Sequence, residues 1–377
     1  MSFRPYAALL SIGLGCLACR EAPRVGVVLP ETGPAAIYGA SLKSGISLAF
    51  SQLGTAHGKV IEVLYRDSGS DPARAASACE AIYEQGAALI IGGATSAEAK
   101  AMIPVADHFN RVLLSPSASA PDLARRSRSF LRVFPSDELE GGQAAEFLVA
   151  QQHARSVLVL SEDNDYARGL LPVFVARLQA LGAQVLGPES LDEKGWEQRV
   201  RLAVVNQNPQ SAYVCGYGET IARGVLVLRS AGFRGPVCAT SAIHSTALLQ
   251  RLGREAEGLY FPLATADLSG AGEPARGFVK AYRQAYNLEP DVYACYGFDA
   301  VLATVTALRA APPPNPAEMT TALRGLRGVR GVMGPITFDP AGAVRRTLEI
   351  HWIRGGRVEV ARPGTAPAAA TLARSAR

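Results

Sequence analysis

Residues Ala88–Ala106 read ALIIGGATSAEAKAMIPVA. An apolar run of strand character ends in two glycines, passes through Ala-Thr-Ser, and enters a stretch with helical spacing. A helix that starts this way presents unpaired backbone N–H groups and the positive end of its dipole, so an anion is the first ligand the junction suggests. Thr95 and Ser96 are also good capping residues, and capping and anion binding coexist at one helix terminus.

The same alternation extends both ways. Strands are expected at Val25–Leu29, Val60–Tyr65, Ala88–Ile91 and Val112–Leu114, with helices at Gly39–Gln52, Pro72–Gln85 and Ala97–Phe109 between them. Later strands are expected at Ser156–Leu160, Val185–Leu186, Ser211–Cys215 and Val237–Ala239, interleaved with helices at Gly141–Gln152, Arg168–Leu181, Trp196–Asn206 and Thr220–Ala231. EGLYFPLA stays unassigned. Pro274–Tyr286, Tyr293–Ala310 and Met319–Leu326 read as helices, and Leu348–Trp352 with Arg357–Val360 as a hairpin turning at RGG. This is the pattern of βαβ units on mostly parallel sheets, and 377 residues suffice for two α/β lobes with a ligand at the sheet ends between them.

Several chemistries are excluded. The glycine loop lacks the lysine and spacing of a phosphate-binding loop, no GxGxxG precedes a strand-end acid, and no serine sits in GxSxG. His57, His108, His153, His244 and His351 have no partner at a motif spacing, so neither a metal, a cofactor nor a catalytic residue is expected. A net charge of +5 spread without a basic block gives no support for nucleic-acid binding. The chain opens with one early arginine and a short apolar run ending at Cys16 and Cys19, which reads as an export signal over residues 1–19. Cys79, Cys215, Cys238 and Cys295 have no metal-site spacing and read as buried thiols or disulfide partners.

Eight segments occur in the order of one family. They are TGPAAIYGASLKSGISLA, YRDSGSDPARA, GGATSAEAKAM, LSPSASAPDL, LRVFPSDELEGGQAAEFL, EDNDYARG, AYRQAYNLEPDVYACYGFDAV and GVMGPITFDPAG. Over Arg24–Val360 the chain resembles the extracytoplasmic solute-binding proteins of branched-chain amino-acid ABC transporters. The resemblance implies two three-layer α/β lobes joined by three crossovers, residues 24–135 with 265–338 and 136–264 with 339–360, followed by a loose tail, 361–377. It also implies a small-molecule solute, transporter permease subunits as partners and no cofactor; separately, the cysteines closing the N-terminal apolar run resemble bacterial lipoprotein signals, which implies a membrane lipid anchor at Cys16 or Cys19.

Carried over residue by residue, the resemblance makes Thr95 and Ser96 the grip on a ligand carboxylate. Ser117 and Ser119 match the loop whose carbonyl and hydroxyl receive and orient an α-amino acid, Tyr38 is an aromatic pocket residue, and Tyr166 and Tyr217 are offered by the opposite lobe. Hydroxyls and N–H groups neutralise an anion without a buried counter-charge, and aromatic faces cover an apolar body. One departure stands out: amino-acid-binding members place an acid after the strand that here is GPVCATSAIHS, where this chain has Thr240, Ser241 and Ala242. Asp163 or Glu219 from neighbouring loops are the candidate ammonium partners. The ligand therefore stays open between an amino acid, a carboxylate without the ammonium, an amide and an aromatic acid, and the role between transport and ligand sensing. Asp67, Asp71 and Asp299 read as structural.

Overall fold

The computed structural model describes residues 22–264, 273–310 and 316–362. Cys16, Cys19 and residues 363–377 lie outside them. The first sheet is built from β1 (Arg24–Leu29), β4 (Glu62–Asp67), β5 (Leu89–Gly92), β6 (Val112–Ser115) and β7 (Phe130–Arg132), with the small hairpin β2–β3 (Thr55–Ala56, Lys59–Val60) beside it. The second sheet holds β8 (Ser156–Ser161), β9 (Gln184–Ser190), β10 (Ser211–Cys215), β11 (Val237–Ala239) and β12 (Leu259–Ala264). After a further hairpin, β13–β14 (Val329–Gly331, Gly334–Ile336), the second sheet is completed by β15 (Leu348–Arg354) and β16 (Arg357–Val360).

The strand orders are β4-β1-β5-β6-β7 and β16-β15-β12-β11-β10-β8-β9. All pairings in the first sheet are parallel, and in the second only β15 and β16 run against their neighbours. In each sheet the second parallel strand in sequence lies outside the first and the later ones add on the other side. Order therefore reverses at β1 and at β8, and ligands of such sheets sit at the strand carboxyl ends beside that reversal.

The connecting helices are α1 (Ala36–Leu53), α2 (Pro72–Glu84), α3 (Ser96–His108), α4 (Leu123–Arg126), α5 (Asp137–Glu146), α6 (Asp165–Ala180), α7 (Trp196–Gln207) and α8 (Gly218–Ser230). They are followed by α9 (Thr246–Leu252), α10 (Ala275–Tyr286), α11 (Val292–Ala310) and α12 (Pro316–Arg324). The chain passes between lobes after β7, between β12 and α10, and between β14 and β15. Helix α11 is buried along most of its length and returns to pack on α1. That contact is glycine-mediated: a Cβ on Gly45 would lie 1.9 Å from the Ala294 carbonyl oxygen, and one on Gly297 2.6 Å from that of Leu42.

The sequence reading differs from the structure at a few points. Val60 leaves the expected strand because Gly58, at φ +75, turns Lys59–Val60 back onto Thr55–Ala56. EGLYFPLA contains β12, whose Pro262 is tolerated because β11 pairs only with Leu259 and Tyr260, leaving that edge free further along. Gly334-Pro335 lies in the β13–β14 hairpin. Cys79, Cys215, Cys238 and Cys295 are buried free thiols.

Asp299 anchors that hairpin to α11. Its carboxylate accepts from the N–H groups of Val332 (2.6 Å) and Met333 (3.0 Å) and lies 3.5 Å from the buried Arg346 guanidinium. Burial raises its pKa to about 6 against the pull of Arg346. Replacing Asp299 by Ala strands two N–H groups and a buried cation, and is expected to cost about 3 kcal/mol in urea denaturation. A loss below about 1 kcal/mol rejects this anchoring role.

Candidate functional site

The loop after β5 is shaped by its glycines. A Cβ on Gly92 would meet the Val28 carbonyl oxygen at 2.6 Å, while Gly93, at φ +66, lies so close to α3 that its Cβ would approach Ala99 Cα at 2.9 Å. Thr95 then caps α3 through a reciprocal box: its Oγ1 accepts from the Glu98 N–H (3.2 Å) and Glu98 Oε2 accepts from the Thr95 N–H (3.1 Å). Ser68 donates to the other Glu98 oxygen at 2.6 Å. The box leaves out the N–H groups of Ser96 and Ala97, which stay at the mouth of the helix.

The loop after β6 is laced to this one. Ser115 donates to the Gly93 carbonyl (2.8 Å) and Ser117 to that of Ala94 (2.7 Å), while Ser96 Oγ accepts from the Ala120 N–H (3.3 Å). These bonds hold Thr95, Ser96 and Ser117 along one wall of a cleft, where Ser119, whose carbonyl accepts from the Asp137 N–H (3.0 Å), joins them.

The opposite wall comes from the second lobe and is aromatic. Tyr166, at the start of α6, stacks on Tyr217, the residue before α8, with centroids 5.4 Å apart and planes 21° apart. Tyr38 of α1 reaches across: its hydroxyl donates to the Ala242 carbonyl (3.0 Å) and accepts from the Gly218 N–H (2.7 Å). At the rim, Lys100 of α3 lies 3.5 Å from Asp165 of α6, and Gly169 fits against Ala120 and Pro121. The cleft holds about 360 Å³ of empty space, part of it open to solvent.

All seven residues expected as ligand contacts line this cleft, together with Ala94, Phe134, Ser241, Ala242 and Tyr293. None of these side chains is charged. Asp163 and Glu219 are not brought to it: Asp163 is exposed and paired with Arg168 at 2.8 Å, and Glu219 is exposed and paired with Arg251. Among the described residues, no cluster of three or more His, Cys, Asp or Glu side chains is arranged to hold a metal ion.

Sequence reasoning missed Phe134 and Tyr293, although both lie in the quoted segments. It also missed a carboxyl pair at the start of α5. Glu140, 3% exposed, accepts from the Ser241 N–H (2.6 Å) and hydroxyl (2.8 Å), with the Tyr166 hydroxyl 3.4 Å away. Asp137 is fully buried one turn earlier, with the Ser119 side chain as its hydrogen-bonding neighbour. Burial pushes Glu140 up to about 7 despite the Ser241 bonds. Asp137 is raised well above the ordinary range by burial and by the charge of Glu140.

Raised acids take up protons on folding, so this pair contributes stability that is complete below about pH 4 and is lost as pH rises through 7. Urea denaturation between pH 5 and 8 is therefore expected to show a smaller loss for Glu140→Gln than for the unmodified protein. Equal slopes reject the buried-acid assignment.

Residues 23–350 match the family described as periplasmic binding protein. The leucine-, isoleucine-, valine-, threonine- and alanine-binding protein of Pseudomonas aeruginosa is 20% identical over 350 residues, covering 91% of this chain and 92% of that protein. A leucine-binding protein from Thermotoga maritima superposes with a TM-score of 0.85 at 25% identity, over 90% of this chain and 98% of that one. A solute-binding protein of an ABC transporter from R. palustris, solved in complex with benzoate, shares the fold with a TM-score of 0.81 at 19% identity, over 90% and 95% of the two chains. With its two doubly wound lobes, its cleft at the strand carboxyl ends and a match across most of its length, this chain belongs to the periplasmic binding protein family.

Proposed function

We propose that the protein binds a small carboxylate solute, an amino acid or a close relative, outside the cytoplasm and delivers it to the permease subunits of an ABC transporter. The observation that carries this reading is one cleft wall of hydroxyls and helix N-terminal N–H groups facing an aromatic wall from the other lobe. In this reading Ser96, Ser117 and Ser119, with the first-turn N–H groups of α3, hold the carboxylate, and Thr95 fixes that turn through its cap. Tyr38, Tyr166 and Tyr217 cover the solute body. The two bodies that close on it are residues 24–135 with 265–338 and residues 136–264 with 339–360. Export by the 1–19 signal and a lipid anchor at Cys16 or Cys19 keep the protein beside its transporter. No reaction is assigned to the site.

A second reading, a sensor for a solute that is not an amino acid, such as an amide or aromatic acid, is favoured by the absence of any charged side chain on the cleft wall. Calorimetry with leucine, 4-methyl-2-oxopentanoate and leucinamide separates the two. The transport reading expects the amide to bind about tenfold or more weaker than leucine, and Ser117→Ala or Ser119→Ala to weaken leucine binding by about tenfold. An amide that matches leucine rejects the carboxylate grip. Small-angle scattering is expected to show a smaller radius of gyration when solute is added.

A further inference from the structure

The unmet need in the cleft is a counter-charge for an ammonium group. A buried ammonium facing only hydroxyls and aromatic rings is costly, and the two acids in neighbouring loops are committed to surface arginines. Glu162 does not serve either: one of its carboxylate oxygens is held by the Tyr217 N–H at 2.7 Å, and it is absent from the cleft wall. Immediately behind the wall, however, stand Glu140 and Asp137.

We infer that Glu140, backed by Asp137, is the carboxylate that balances the ammonium of an α-amino acid solute, acting through Ser241 and Tyr166. This rests on the carboxylate-solute reading above. Ser241 and Tyr166 both line the cleft, and both are in contact with the Glu140 carboxylate. Phe134 and Ser241 are shared between the cleft and a smaller apolar crevice that Glu140 also lines, with room for about one water molecule. The loop that lacks an acid, Thr240-Ser241-Ala242, is the same loop that Glu140 grips.

Asp137 supplies the second, independent observation. It is fully buried beside Glu140, and its hydrogen-bonding neighbour is the Ser119 side chain, itself on the cleft wall, so the acid pair reaches the cleft at a second point. The other groups facing the pair are Arg132, buried and bonded to the Ala120 carbonyl, and Tyr166, Tyr213, Tyr293, Cys215 and Cys238. Burial raises the phenols and thiols, which stay neutral near pH 7. The Asp137–Glu140 pair is therefore the group in this shell that gains or loses charge there, with Arg132 a constant cation.

The test uses the whole mature protein and two probe pairs: leucine with 4-methyl-2-oxopentanoate, and phenylalanine with phenylpyruvate. At pH 7 the amino acid of a pair is expected to bind about tenfold or more tighter than its oxo acid. Glu140→Gln is expected to erase most of that preference while leaving the oxo acid within about threefold of its original affinity. Amino-acid binding at pH 6.5 is also expected to release protons, read as an enthalpy that varies with the ionisation heat of the buffer, and the variant is expected to lose that dependence. If Glu140→Gln does not fold, proton release by the unmodified protein still decides: its absence overturns the inference. Equal binding within a pair, or equal weakening of both members by Glu140→Gln, overturns it while leaving the carboxylate reading intact. Failure of all four probes to bind overturns that reading, and this inference with it.

Discussion

The fold depends on a contact between two helices far apart in the chain. Helix α1 follows the first strand and α11 returns after the second lobe has been laid down, and they meet where Gly45 and Gly297 carry no side chain. A methyl group at Gly45 would sit far inside van der Waals contact with the Ala294 carbonyl oxygen, so the backbones approach only because the residues are glycine. Without that approach the returning segment has no place on the first lobe. Tyr293, one helical turn before Gly297, would then not reach its position against Tyr38, where the ring centroids are 4.9 Å apart.

The electrostatics of the cleft follow from burial. Its surface is made of groups that are polar and neutral: hydroxyls, peptide N–H groups and phenols. Neutral donors are cheaper to bury than an arginine and remain aimed at one point because the loops bond to one another. Charge is held one layer back, in the Glu98 cap behind the hydroxyl wall and in the Asp137–Glu140 pair behind Ser241. Each carboxyl is raised by desolvation, so the shell can adjust its ionisation to a bound solute.

Much of the architecture was legible because parallel βα units alternate apolar runs of strand length with helical periods. Ser211–Cys215, Val237–Ala239 and Arg357–Val360 begin and end where the pattern places them. Elements that depend on remote partners were not legible: β12 contains a proline, β7 has only three residues, and β13–β14 is held by Asp299 from another helix. The site divides in the same way. Loop residues at strand ends, such as Thr95 and Ser117, carry a local signature. Glu140 does not, because it sits in an ordinary helical first turn and its importance comes from Ser241, about a hundred residues later. Asp163 and Glu219 do not line the cleft, because proximity in sequence to a cleft loop does not set the direction of a side chain, and nearby arginines pair with both.

The Tyr38 hydroxyl bonds link protein to protein, and the solute is no party to them. Such bonds favour the shut conformation whether or not the cleft is filled, so they set the equilibrium between shut and open in the free molecule. Apparent affinity scales with the fraction of molecules in the competent conformation, and a stronger clasp raises affinity for every solute alike. Selectivity gains nothing from it, and off-rates slow for all. The Tyr38 hydroxyl therefore acts on residence time, and the choice of cargo belongs to the groups that touch it, the Tyr38 ring among them.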